Sequence, residues 1–429
     1  MEIIYWRRVG EEVKTIKAKK GVVKYRIAPF VQWKVLVADE DVKVKKGLPA
    51  IVKIKDLEIP ENTIIAPLSI MRHFLGATID VIEEGLKKVE EEKKITHAVF
   101  LPVEDGEICR NDIIGVIKIF FVKTGLIERQ LGFSASDIKI REEIFSANLV
   151  YKEGDKIKRE EIKNRIFGYF KSYIADWEPL IAAERVEVKK GEISRVKLKP
   201  VSLPPNTVVT PLHIMRNALG SVVEVAQKGK PSRVEEAKTI DEAIFLPIKS
   251  GKIEKGDLLG VLNIYYVAIN RPSEHFEMRT KEEKLAKIVF EEDGKILRKE
   301  IRIMPFAYKR KPISRWEPVI AAEDVDLRRG EAVEIKIEPI KLEEDTIVYP
   351  LYIMKNAYGT IVDLIEKELR KVEEEKTLCK VLFMPIFDGK IRKGQMIGVV
   401  NVYSVEVRPH RMMEEWFKEW VEGLKGVMR

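Results

Sequence analysis

A block of about 125 residues occurs three times along this chain of 429, and that repetition constrains the fold more than any other feature. Trp177-Glu-Pro-Leu-Ile-Ala-Ala-Glu184 returns as Trp316-Glu-Pro-Val-Ile-Ala-Ala-Glu323, and a fainter copy runs from Trp33 through Ala38 and Glu40. Each is followed by a basic pair and a glycine: Lys45-Lys46-Gly47, Lys189-Lys190-Gly191 and Arg328-Arg329-Gly330. Further on, Thr207-Val-Val-Thr-Pro211-Leu-His-Ile-Met215 matches Thr346-Ile-Val-Tyr-Pro350-Leu-Tyr-Ile-Met354 and Thr63-Ile-Ile-Ala-Pro67-Leu-Ser-Ile-Met71. The interval from Trp to a closing glycine (Gly115, Gly260, Gly398) is 82, 83 and 82 residues. Chance does not hold a dozen positions in phase three times.

This period is too long for a solenoid, whose repeat is one supersecondary unit. Each unit is long enough to bury its own core, so three tandem domains are expected: 1–123, 145–268 and 284–405, with connectors 124–144 and 269–283 and a tail 406–429. The pattern within a unit is mainly β. Arg195-Val-Lys-Leu-Lys-Pro-Val and Glu334-Ile-Lys-Ile-Glu-Pro-Ile alternate polar and apolar residues. The basic pairs with their glycines read as turns between strands. Ile361, Leu364, Ile365, Leu369 and Val372 keep helical spacing, which predicts a short amphipathic helix over 361–375 and a counterpart over 80–94. The second copy has Gly229 and Pro231 there, so its helix must be short or broken. Met413, Trp416, Phe417, Trp420 and Leu424 line one side of a predicted C-terminal helix. That stripe is expected to dock on the body of the chain or on a second copy in a homo-oligomer, rather than on a membrane surface.

Composition adds exclusions. The 34% of charged residues is rich in Lys and Glu, a pattern of proteins from hot environments. The net charge of +8, from 77 basic and 69 acidic residues, permits an acidic partner without demanding one. Two cysteines, Cys109 and Cys379, exclude a disulfide scaffold and fit a reducing, cytoplasmic setting. There is no apolar run long enough for a membrane span and no leader-like N-terminus.

The Pro-Leu-x-Ile-Met-Arg/Lys run and the Lys-Gly-Asp-Leu-Leu-Gly260 run resemble an archaeal family classed as domain of unknown function number twenty-two, over nearly the whole chain. The name implies no activity. The order of alternating strand, basic turn, alternating strand, Pro-x-x-x-x-Arg, Gly-x-x-x-acid and Ile-x-x-Gly-Asp is similar, more distantly, to the dUTPase β-clip fold. That likeness implies three β-clip-like domains closing as a single-chain pseudo-trimer with sites at domain interfaces. It places a phosphate-contacting cation at Arg72, Arg216 and Lys355 and a catalytic acid at Asp80, Glu224 and Asp363. The chain departs from that family where a base-binding Tyr, a strand-ending Gln and a Gly-rich arm would stand.

Each candidate has a plainer reading beside the chemical one. The acids could hold Mg²⁺ or activate water, or could cap a helix start. The cations could clamp phosphate or pair with a nearby acid. Trp33, Trp177 and Trp316 could stack a base but more often fill a core. The basic turns, at equivalent corners of the body and with Lys309-Arg310-Lys311, could bind RNA or be solvated turns. The five histidines (73, 97, 213, 275, 410) and two cysteines show no metal spacing. The recurrent positions are mostly Gly, Pro and apolar, so a non-enzymatic binding or scaffold protein is expected first. A nucleotide phosphohydrolase with sites at domain interfaces comes second, the only reading under which a cofactor, Mg²⁺, is expected, and association with RNA or ribosomal particles third.

Overall fold

A computed structural model describes residues 1–134, 143–166, 168–212, 216–227, 229–269, 282–304, 307–351, 355–367, 370–407 and 410–427. Nearly all of the regular structure among these residues is β, with one helix at the C-terminus. Each repeat packs two sheets around an apolar core. In the second, Gly168–Ile181, Leu258–Ala268 and Thr207–Leu212 form one sheet, and Ser194–Leu203, Lys238–Pro247 and Gly220–Ala226 form the other. The alternating run Arg195 to Val201 sends Val196, Leu198 and Val201 inward, where they meet Leu180, Phe245 and Leu262. The third repeat buries Ile335, Ile337, Ile340, Phe383 and Val400 in the same way.

The three long strands that carry the tryptophans join the repeats into a ring. Phe30–Gln32 pairs with 168–170, 174–176 pairs with 307–309, and 313–316 returns to pair with 23–26. Each strand therefore uses one half for the next repeat and the other for the previous one, and the third closes on the first. A hairpin ahead of each long strand repeats this order. Glu143–Glu153 with Lys156–Ile166 docks on the first repeat, where Phe74 N–H donates to Val150 O. Lys284–Glu292 with Lys295–Ile303 docks on the second, where Ala218 N–H donates to Val289 O. The N-terminal hairpin, Glu2–Trp6 with Val13–Lys17, docks on the third, through Ala357 N–H to Ile4 O and a parallel pairing at Gln395. On the common axis a single apolar cluster draws Ile79 and Leu101, Ile244 and Leu246, and Leu382 and Met384 from the three copies.

Among the described residues the expected short helices are not there. Gly76–Glu83 and Gly359–Glu366 are strands, and residues 84–92 form a loop. A β-bulge explains the misleading periodicity. The register slips between Ile361 and Asp363, so Ile361 and Leu364 face the repeat's own core while Val362 faces the axis. One inserted residue gives a strand a spacing of three on one face, as a helix has. The loop that follows is wound around a buried ammonium. Lys93 Nζ donates to the carbonyls of Thr63, Val89 and Glu91 at 3.3, 3.1 and 3.0 Å, and Lys376 Nζ to those of Lys371, Val372 and Glu374 at 3.2, 3.1 and 3.3 Å. Lys238 does the same in the second copy with Val234 and Glu236, its ammonium pushed down to about 8 by burial.

The basic turns are not spread over corners; they converge. Arg329 Nη2 donates to Pro49 O at 2.8 Å, and the glycines of the three turns approach one another, each with φ between +76° and +82°. The C-terminal helix His410–Val427 lies on the chain's own body, packing Met413, Phe417, Trp420 and Leu424 against Ile174, Tyr266 and Ala307. No helix among the described residues is long and apolar enough to cross a membrane.

Candidate site at the repeat junctions

The acids and cations singled out by spacing lie at the junctions between repeats, in cyclic order. Asp80 of the first repeat meets Lys355 of the third, with Nζ 2.8 Å from Oδ1. Asp363 of the third meets Arg216 of the second, with Nε 3.7 Å from Oδ2. Glu224 of the second lies within the field of Arg72 of the first. Each acid thus partners the cation of the preceding repeat, not the one a few residues before it in its own. The bulge positions them: the acid is the residue just after the register slip in all three copies. Its carboxylate accepts the next residue's N–H (Val81, Val225 and Leu364) at 2.8, 2.9 and 2.8 Å.

All three acids are buried, Asp80 and Asp363 to 2% exposure. Burial pushes the carboxyls of Asp80 and Glu224 above the usual range, against the pull of their partners. Arg72 is drawn down to about 10, first by burial and then by Arg195. A hydroxyl from the preceding repeat completes two of the sites, Thr360 for Asp80 and Ser221 for Asp363. Ala77 stands at that position in the first copy. There the acid is the longer Glu224, which reaches Ser69 instead.

A cleft opens beside two of the pairs. The cleft between the first and second repeats has a volume of about 680 Å³ and is lined by Arg72, Phe74, Arg195, Val225 and Glu242. Arg195 is tied to Glu104 and Glu242, both at 3.1 Å. The cleft between the second and third, about 650 Å³, is lined by Arg216, Val289, Glu291, Glu366 and Lys380. The third junction keeps only about 50 Å³, because Trp6 fills it. The Trp6 indole donates to Ala357 O at 2.7 Å and packs on Phe387 at 5.1 Å. The three junctions therefore share a pair but not a cleft.

The remaining candidates are placed as follows. Trp33, Trp177 and Trp316 are 6, 6 and 7% exposed, and Trp316 packs on Tyr25 and Trp177 on Tyr308 across repeats. They are core residues that hold the ring. His73 is buried, accepts Leu75 N–H at its Nδ1 and faces Asp112 at 3.6 Å. Asn217 and Asn356 take the same turn position in the other copies. His213, His275 and the side chain of His410 lie outside the described residues. Among the described residues no three His, Cys, Asp or Glu side chains gather as a metal site would need. Arg310 is buried and Lys309 covers the Trp416 ring at 4.0 Å, so the 309–311 run is not one exposed patch.

Two sets of residues escaped the sequence reading. The buried lysines Lys93, Lys238 and Lys376 recur in phase, as do Tyr25, Tyr169 and Tyr308, each eight residues before its tryptophan. Aligning the copies by position rather than by identity reveals both.

Comparison with known proteins agrees with the repeat structure. The family model described as domain of unknown function DUF22 matches residues 1–106, 146–251 and 285–389. An uncharacterised protein of the archaeon Methanocaldococcus jannaschii is 32% identical over 109 residues, which is 25% of this chain and 81% of that protein. No solved structure is a significant match, so the β-clip likeness rests on the sequence pattern alone. Three matched copies, in phase with three closed β units, show that the chain belongs to the family described as domain of unknown function DUF22.

Proposed function

We propose that this chain is a non-enzymatic binding protein: a ring of three repeats, locked by its junction acid–base pairs, that offers two open clefts to a ligand. The observation that carries this reading is the pairing itself. A general base must reach the proton that it takes, and a phosphate clamp must face its phosphate. Here Asp80 and Lys355 satisfy each other at 2.8 Å, in a junction where Asp80 is 2% exposed and a tryptophan fills the cleft. The pairs answer a structural need, since a buried carboxylate requires a counter-charge.

The test is turnover. Purified protein with Mg²⁺ and each common nucleoside triphosphate is expected to release no phosphate or pyrophosphate above a buffer control. Sustained release that disappears in the Asp80→Ala, Glu224→Ala, Asp363→Ala triple variant, with the fold intact, would overturn the reading and favour a phosphohydrolase with interface sites.

The convergence of the basic turns favours a second reading. Lys45, Lys46, Lys189, Lys190, Arg328 and Arg329 stand around one end of the axis, a geometry suited to an RNA phosphate backbone. Asp105 and Asp388 accept main-chain N–H groups of two of these turns and temper the field. This reading expects RNA binding that falls steeply with salt; no retention at low salt would remove it.

A further inference from the structure

The repeats also meet on the axis through a buried polar layer that the junction pairs do not use. Lys118, Asn263 and Asn401 hold one shared position, each opposite its repeat's tryptophan in the sheet register. Two of them receive a tyrosine from the next repeat: Tyr25 donates to Asn401 Oδ1, and Tyr308 to Asn263 Oδ1 at 2.9 Å. At the third meeting the asparagine is replaced by Lys118, and the Tyr169 hydroxyl has no hydrogen-bond partner. The hydroxyls of Tyr265, Tyr308 and Tyr403 close a triangle with edges of 3.5, 3.4 and 3.3 Å.

Three cations enter this layer. Lys118 is 7% exposed, with its ammonium 5.9 Å from the centre of the Tyr265 ring; Lys171 stands over the same ring at 3.4 Å. Arg310, also 7% exposed, lies over the Tyr403 ring at 4.2 Å. No carboxylate forms an ion pair with any of the three among the described residues. Asn263 Nδ2 and Arg310 Nε are left without partners here, while the buried Tyr349 hydroxyl faces both Asn401 and Arg310. Burial drives the Lys118 ammonium down to about 7, and Arg310 adds to the effect. Glu224 is in electrostatic reach of Lys118, but it is already engaged by Ser69 and Arg72.

Buried cations without a counter-charge, beside unpaired donors, are costly unless something negative completes them. Burial lowers the Lys171 ammonium as well, so a bound anion is what would keep both lysines charged beside the Arg310 guanidinium, which water would not do. We propose that this axial layer binds a small oxyanion of the size and charge of inorganic phosphate, held by Lys118, Lys171 and Arg310 and by the amide groups of Asn263 and Asn401. A cavity of about 80 Å³, lined by Pro67, Pro211 and Pro350 and by the junction acid Glu224, lies one residue along the strands from the Lys118, Asn263 and Asn401 layer. None of these five residues lines a junction cleft.

The repeats themselves supply the test variants. Lys118→Asn installs the residue of the other two copies, and Lys171→Ile installs Ile27, the first copy's residue. Full-length protein, dialysed free of phosphate, is titrated calorimetrically with sodium phosphate at constant ionic strength. Adenosine monophosphate is titrated in parallel. One phosphate per chain is expected, with affinity falling at least tenfold in each variant. In phosphate-free buffer Lys118→Asn is expected to melt no lower than the parent, because Tyr169 regains an amide partner. No phosphate binding by the parent at millimolar concentration, or unchanged affinity in both variants, overturns the proposal. Adenosine monophosphate binding as tightly as phosphate would overturn the assignment to a free anion.

Discussion

Removing the counter-ion of one junction, with Lys355→Met, is the most direct probe of what holds the ring together. Asp80 and Lys355 lie 2.8 Å apart, with side chains 3 and 15% exposed. At an effective dielectric constant near 20, that separation gives a gross attraction of about 6 kcal/mol. Most of this offsets the cost of taking both charges out of water, so the pair contributes little net. Breaking it is different, because the aspartate stays buried and alone; the expected loss is about 3–5 kcal/mol. The loss should depend on pH in a defined direction. Burial already raises the Asp80 carboxyl above its ordinary value, and Lys355 opposes that rise. Without Lys355 the folded protein holds the proton to higher pH. A raised carboxyl contributes its full stability below the unfolded value and loses it as pH rises through the folded value. The variant should therefore be much weaker than the parent at pH 8 and approach it towards pH 5. Urea unfolding followed by tryptophan fluorescence at the two pH values measures both effects. The Asp80→Asn, Lys355→Met double variant, with no charge left to bury, should fall within about 1–2 kcal/mol of the parent. A loss under about 1 kcal/mol at pH 8, or one independent of pH, would refute the reasoning.

Three further outcomes follow from the same structure. Glu83 and Glu366 are pushed up to about 7 by burial, so their contribution to stability, full below about 4.5, should fade as pH rises through 7. Replacing both with Gln, the residue at that position in the second copy, should flatten the fall between pH 5 and 8; an unchanged slope would count against it. A Cβ at Gly220 would stand 2.2 Å from Leu246 O, so Gly220→Ala should lose about 1–3 kcal/mol or more in urea unfolding. Phe417 is 3% exposed and packs on Tyr266 at 4.7 Å, so Phe417→Ala should cost about 3–5 kcal/mol, unless the helix contributes nothing to the body beneath it.

The triplication and the β character were legible because both are periodic: three copies held in phase, and strands whose inward residues alternate. The docking side of the C-terminal helix was legible for the same reason, as one apolar stripe. The bulged strands were not. A run buried on both faces has no polar side to set its period, and the slip before Asp363 gave Ile361 and Leu364 the spacing of a helix turn. The candidate site was half legible. Arg72 and Asp80 recur together, so their positions stood out, but nothing local shows that each finds its partner in a different repeat. That information lies in the closure of the ring. The axial layer was hidden because its residues differ between copies: Lys118 stands where Asn263 and Asn401 stand, and a search for identity passes over it.

The docking of the first hairpin on the last repeat has a consequence for synthesis. Ile3 and Ile4 are buried only once the strand Gln395–Val407 exists to receive them. The first hairpin must therefore wait for a strand made much later to arrive. Meanwhile each middle junction can form as soon as its own hairpin emerges. Until then the chain is an open string with two finished joints, and it becomes a closed body only when Gln395–Val407 has emerged to receive the first hairpin.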